Sequence, residues 1–275
     1  MHFFDEEAIL KYETVQFYYI KTRLDNHIFR LTLNRPEKRN AFTPTMAAEI
    51  AFAIAYANYN SAVRCVIIDA EGSVFCAGAD LYAFHDPSFD FLNTMLPEAK
   101  EEVRLGDVFK NCFKPLIAQV AGAVFAGGFL IVAGCHFVYS VPDAKFGLPE
   151  VKRGIWPMQV MASLEGIIAP KKILEMAITG ATYNALAMKE MGLVSETVDA
   201  DDLKDSVELL AGTVVANAPL AINRGIKAFA SYKQVPAMDQ HRFLQQQLAK
   251  ILASEDSLEG IAAFKEKRVP QWKGK

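Results

Sequence analysis

The sequence predicts an α/β fold in which short strands and helices alternate over residues 15–198, with an extension at 1–14 and an all-helical region at 199–275. Three observations support this. Apolar β-type runs recur at 65–69, 116–120 and 136–140, separated by helical or glycine-rich sequence, as expected for a largely parallel sheet. Residues 15–22 and 27–33 read as a hairpin around Asp25-Asn26. Beyond Asp201 only helical patterning is found, broken at Asn217-Ala218-Pro219 and Gln234-Val235-Pro236.

Taken in order, residues 3–12 fit a short acidic amphipathic helix that precedes the hairpin. Residues 34–42 break the strand pattern, and Thr43-Pro44 supplies an N-cap with proline at the first position of a helix reaching about Asn58. After the strand at 65–69, the small residues Ala77-Gly78-Ala79 would let a ligand lie against the main chain. Residues 82–96 keep no period and carry several phenylalanines, the pattern of a mobile loop over a pocket, whereas 97–112 returns to helical spacing. The central stretch then runs from the strand at 116–120 through Ala126-Gly127-Gly128 into a buried helix at 129–133, a strand at 136–140 and the turn Gly147-Leu148-Pro149-Glu150. Helices at 157–168, 170–178 and 184–190 and a strand at 193–198 complete the core.

Composition narrows the function. With 275 residues, 52% hydrophobic and 22% charged, the chain can bury a large core, either as one domain with an appendage or as two small ones, so disorder is excluded. A formal charge of −3 gives no general attraction to nucleic acid or anionic membranes, and neither is expected as a partner. Cys65, Cys76, Cys112 and Cys135 lie far apart without metal-type pairing and read as reduced packing thiols. Residues 1–10 lack the basic start and apolar core of a signal peptide, and no uncharged run is long enough to span a bilayer, so a cytoplasmic location is expected. Dinucleotide, phosphate-loop, zinc and Gly-x-Ser-x-Gly signatures are absent, which predicts neither a metal nor a redox cofactor.

The chemistry points elsewhere. Glycines opening a helix let the backbone approach a ligand, and the free N–H groups there can stabilise developing negative charge. Glu150, on a proline-stiffened turn close by in sequence, offers one positioned carboxylate. An anion-stabilising backbone and one acid/base suffice for chemistry at the α-carbon of a carbonyl compound.

LTLNRPEKRNAF, VFCAGADL, the AGG stretch, FGLPE, the TG…A…GLV pattern around 179–194 and the terminal AAFKEKR, in this order and spacing, resemble the enoyl-CoA hydratase/isomerase (crotonase) family from about residue 15 to the end. The resemblance implies a repeated ββα core, a C-terminal helical trimerisation region, homotrimers or dimers of trimers, and an acyl-coenzyme A thioester as substrate, with coenzyme A part of that substrate. It assigns oxyanion-stabilising N–H groups to Ala79 and Gly127 and the acid/base role to Glu150. Gly78, Asp80, Leu81, Gly128, Leu130, Pro149 and Trp156 are expected around the substrate. Arg35 and Lys38 are expected near the phosphates, with solubility as their alternative role. Ala77 corresponds to the backbone position that meets the adenine amino group, and Phe264 and Lys267 to residues reaching a neighbouring subunit's ligand.

Hydratases of the family normally carry a second glutamate at the position of Leu130. Its absence favours isomerisation of a 3-enoyl-CoA to a 2-enoyl-CoA, with Glu150 alone moving the proton. Hydration, another acyl-CoA lyase or hydrolase reaction, and a non-catalytic acyl-CoA scaffold are the alternatives. Tyr82, His85 and His136 are candidates for a second polar group.

Overall fold

A computed structural model of the chain describes residues 3–275; Met1 and His2 of the N-terminal extension lie outside the described residues. Helix α1 (Glu6–Leu10) is N-capped by Asp5, and a two-residue turn then joins β1 (Ile20–Asp25) to β2 (Ile28–Leu33). Both turn residues, Asn26 and His27, have positive φ, 47° and 68°, which matches the twist of the two strands. The hairpin is as expected, but its turn is Asn26-His27 rather than Asp25-Asn26, and β1 begins at Ile20 rather than residue 15. The amides of Tyr18 and Tyr19 donate to the buried Glu49 carboxylate at 2.9 and 2.8 Å and are lost to strand pairing.

Helix α2 (Pro44–Tyr59) starts where the sequence places it, with the Thr43 hydroxyl accepting from the Met46 amide. There follow β3 (Cys65–Ala70), β4 (Val74–Cys76), α3 (Leu81–His85) and α4 (Leu105–Lys110). The expected helix over 97–112 shrinks to α4. The Lys100 amide turns away to the Phe3 carbonyl at 2.8 Å, and the Arg104 guanidinium engages Glu101, Asp107 and the face of Phe3.

Next come β5 (Leu116–Val120), β6 (Ala123–Phe125), α5 (Phe129–Val132), β7 (Phe137–Ser140), β8 (Lys145–Gly147), α6 (Met158–Leu164), α7 (Pro170–Thr179), β9 (Thr182–Asn184), α8 (Ala185–Glu190) and β10 (Glu196–Thr197). The final strand is shorter than its apolar run suggests. Leu193 and Val194 donate to the Met188 carbonyl, closing the end of α8, so pairing with β7 is confined to two residues.

The strands form two sheets. One has the order β1-β2-β3-β5-β7-β10, parallel except for the β1–β2 hairpin, and the other β4-β6-β8-β9. Each of β3, β5 and β7 is followed by a short strand of the second sheet, β4, β6 and β8, and then by helical structure. This is the repeated ββα unit. The large sheet is covered on both faces, which explains why β3 is a continuous apolar run rather than an alternating one. Val66 and Ile68 pack with Phe29, Leu31 and α2, whereas Cys65 and Ile67 meet Leu203, Val207 and Ala211 of α9 (Leu203–Val215). Helices α10 (Pro219–Tyr232), α11 (Gln240–Leu252) and α12 (Glu255–Glu266) complete the C-terminal region. Among the described residues no single helix is long and apolar enough to cross a membrane.

Candidate active site

Strands β4, β6 and β8 are neighbours and run parallel, so their C-terminal ends form a row. Ligands in α/β folds bind at such ends. Ala77-Gly78-Ala79 follows the first strand, Ala126-Gly127-Gly128 the second and Leu148-Pro149-Glu150 the third. Three successive repeats thus deliver three equivalent points to one cavity of ≈660 Å³.

The first two points are built alike. Gly78 (φ 97°) immediately precedes Ala79, and Ala126 (φ 51°) immediately precedes Gly127. Each positive-φ residue turns the chain just before an amide, and among the described residues neither the Ala79 nor the Gly127 N–H donates to a protein acceptor. The loops touch: a methyl group on Gly78 would lie 2.7 Å from the Ala126 Cβ and 2.9 Å from the Gly127 nitrogen. A methyl on Gly127 would meet the Phe42 ring at 2.9 Å and approach the Ala79 nitrogen to 3.3 Å. Two neighbouring unpartnered donors in one cavity are the groups an oxyanion needs.

Glu150 lies on the 3₁₀ turn Pro149–Arg153 and lines the same cavity. Its Oε2 is buried and has no hydrogen-bond partner, and burial raises its pKa above the ordinary carboxylate value against a smaller lowering influence of its own backbone N–H and of Arg153. No ion pair joins it to Lys152 or Arg153 among the described residues, so it is not a routine surface glutamate.

These features coincide with independent sequence similarity. A model of the family described as enoyl-CoA hydratase/isomerase matches residues 23–275. The chain belongs to that family. It is 32% identical over 250 residues to mevalonyl-coenzyme A hydratase of Aspergillus fumigatus, covering 90% of this chain and 92% of that one. It is 33% identical over 257 residues to carnitinyl-CoA dehydratase of Escherichia coli, covering 90% and 95%. The crystal structure of enoyl-CoA hydratase from Mycobacterium smegmatis superimposes with a TM-score of 0.82 at 28% identity, covering 93% of this chain and 99% of that one. This is a crotonase-family acyl-CoA enzyme.

Of the other expected site residues, Lys38, Ala77, Asp80, Leu81, Leu130 and Trp156 line the cavity. Arg35, Gly78, Gly128 and Pro149 are placed otherwise than expected. Arg35 is buried, paired to Asp80 Oδ2 and the Ala41 carbonyl at 2.8 Å each and stacked over Tyr19, so its cation holds the loop rather than a phosphate. Asp80 is correspondingly engaged: burial pushes its pKa up, but Arg35 and the Ala83 and Tyr82 amides of α3 outweigh this and hold it below the ordinary value. Gly78 and Gly128 serve close packing, the latter with its Cβ position 2.8 Å from the Cys76 carbonyl oxygen. Pro149 opens the Glu150 turn without lining the cavity. Phe264 and Lys267 lie at the far end of α12, away from this chain's own cavity, with Phe264 86% exposed.

Among the polar candidates, His136 is removed from the site, its Nδ1 accepting the Leu116 amide at 3.1 Å. His85 is not in the wall, whereas Tyr82 is, although 75% exposed. Sequence reasoning missed Phe42, Phe84, Glu102, Val103 and Leu105 in that wall. The aromatic and helical patterns around them signalled a pocket cover but gave no direction for single side chains. The cysteines are free, and burial raises the thiols of Cys65 and Cys76 to about 12, in keeping with packing.

Proposed function

We propose that the enzyme reversibly adds water across the double bond of a 2-enoyl-CoA, giving a 3-hydroxyacyl-CoA. The single observation that carries this reading is the buried, unpartnered Glu150 Oε2 in the cavity that also holds the free Ala79 and Gly127 amides. The thioester oxygen accepts from both amides, water oxygen bonds to C3, and the displaced π electrons settle as an enolate on that oxygen. Glu150 then delivers a proton to C2, and the proton lost by the added water returns through solvent to Glu150, so that water has been added and the side chain is restored. Burial favours its protonated form, which suits it to donate. Each oxyanion donor is worth about 3 kcal/mol of transition-state stabilisation. The relatives named hydratase or dehydratase support this direction over isomerisation.

A second reading, the 3-enoyl to 2-enoyl shift favoured by the sequence alone, retains one observation. Leu130, buried on α5, stands where the family resemblance places a second glutamate. Incubation with 2-enoyl-, 3-enoyl- and 3-hydroxyacyl-CoA esters tests both: water addition is expected, and isomerisation without hydration would overturn the first reading. The apolar wall of Leu81, Val103, Leu105, Leu130 and Trp156 is the proposed acyl pocket, and Lys38 and Arg153 are the cations in the same wall.

The exposed apolar side chains Phe229, Leu248, Leu252, Ile261 and Phe264 of α10, α11 and α12 support a homotrimer or dimer of trimers built on the C-terminal region. Light scattering tests this, and a monomer at micromolar concentration would contradict it.

A further inference from the structure

We propose that Glu102 is the second carboxylate of this enzyme, acting on the attacking water; this rests on the hydration reading above. The cavity wall carries the ionisable side chains Lys38, Asp80, Tyr82, Glu102, Glu150 and Arg153. Asp80 is held by Arg35 and the start of α3, which leaves Glu102 and Glu150 as the carboxylates available to substrate. Among the described residues the Glu102 side chain has no hydrogen bond or ion pair.

Its position answers the loss at Leu130. Glu102 directly precedes Val103 and Leu105, both in the cavity wall, and α4 then packs on α5: a methyl placed on Gly106 would sit 3.6 Å from Leu130 Cδ2. The segment that carries Glu102 therefore lies against the helix whose own facing residue is apolar. Its backbone is fixed there, since Arg104 Nη1 donates to the Glu102 carbonyl at 3.3 Å while the same guanidinium engages Glu101 and Asp107. A carboxylate absent from α5 is thus supplied from the segment packed over it.

The step balances. Glu102 takes one proton from water as the water oxygen bonds to C3, the π electrons move to the thioester oxygen, and Glu150 gives its proton to C2. Solvent then carries the proton from Glu102 back to Glu150, so that water has been added and both side chains are restored.

The test uses Glu102→Gln in the full-length enzyme, with the 2-enoyl-CoA that wild type hydrates fastest and the saturated acyl-CoA of the same length. Hydration kcat should fall by about 100-fold or more, the range for loss of a general base, with KM little changed. Exchange of the saturated ester's C2 protons with solvent deuterium, which needs the oxyanion amides and Glu150 only, should persist near the wild-type rate. Glu102→Asp should restore part of the hydration. Hydration by Glu102→Gln at the wild-type rate would overturn the proposal and leave the hydratase reading intact. Loss of hydration together with C2 exchange would also overturn it, since Glu102 would then serve the structure of the site. Absence of hydration in wild type across the ester panel would overturn both readings together.

Discussion

The floor and the rim of the cavity are built in opposite ways. The floor is the row of three strand ends, where Gly78 and Gly127 stand so close to neighbouring atoms that neither has room for a methyl group. The rim, from α3 to the start of α4, exposes Tyr82, Phe89, Phe91 and Leu92 and is tied down at separated points. Asp90 accepts from the Thr45 amide at 2.8 Å, and Asn93 donates to Glu49 at 2.6 Å and to the Gln16 carbonyl at 2.9 Å. Enolate stabilisation requires fixed geometry, whereas acyl recognition tolerates exchange of side chains in the wall. On the proposed function, the floor carries the enolate chemistry and the rim the recognition of the acyl group.

If this division holds, changes in the floor dominate. Glu150→Gln should lower turnover by roughly 100-fold to 10,000-fold, the range for a lost acid/base, in steady-state assays. Gly127→Ala should lower kcat by about 100-fold or more, the scale of one lost oxyanion donor, because its methyl group collides with Phe42 and crowds the Ala79 amide. Circular dichroism should remain native. A full-rate Gly127→Ala enzyme would show that the floor accommodates the methyl group and would contradict its rigidity.

The buried Arg35–Asp80 pair belongs to the floor through its grip on the Ala79 loop. Arg35→Met should reduce stability by about 1–3 kcal/mol in denaturant titration, because it leaves the half-buried Asp80 carboxylate without its cation. A smaller and opposite effect is expected at Glu150. Its raised pKa means that its contribution to stability is fully present below the ordinary carboxylate range and is lost as pH rises through the raised value. Glu150→Gln should therefore melt above wild type at pH 8, with the difference fading towards pH 4. Hydration, which uses protonated Glu150, should decline over the same rising interval. Smallest of all, Phe89→Ala at the rim should change stability by no more than about 0.5 kcal/mol. A large loss there would erase the distinction between floor and rim.

The same contrast separates what the sequence reveals from what it hides. Strand runs, the Thr43-Pro44 helix start and the proline-marked breaks between C-terminal helices are legible because each rests on local chemistry. Glu150 and the two donor loops are legible through motif order. Ala126 is not, since alanine gives no sign of a positive φ; that conformation is imposed by the packing of its loop on Gly78. The fate of Arg35 is hidden for a similar reason: its partner Asp80 lies 45 residues away, and only the fold brings them together. Residues 97–104 mislead because long-range contacts of Lys100 and Arg104 with Phe3 override a helical pattern. Glu102 sits in that segment, and its place in the cavity wall emerges only in three dimensions.

In the proposed reaction the Ala79 and Gly127 amides hold a thioester enolate whose C2 proton is exchanged by Glu150. Mass spectrometry of a saturated acyl-CoA incubated with enzyme in deuterium oxide tests it directly, using wild type and Glu150→Gln side by side. Deuterium is expected at C2 with wild type, and none above the enzyme-free control with the variant. Equal incorporation by both proteins would contradict it.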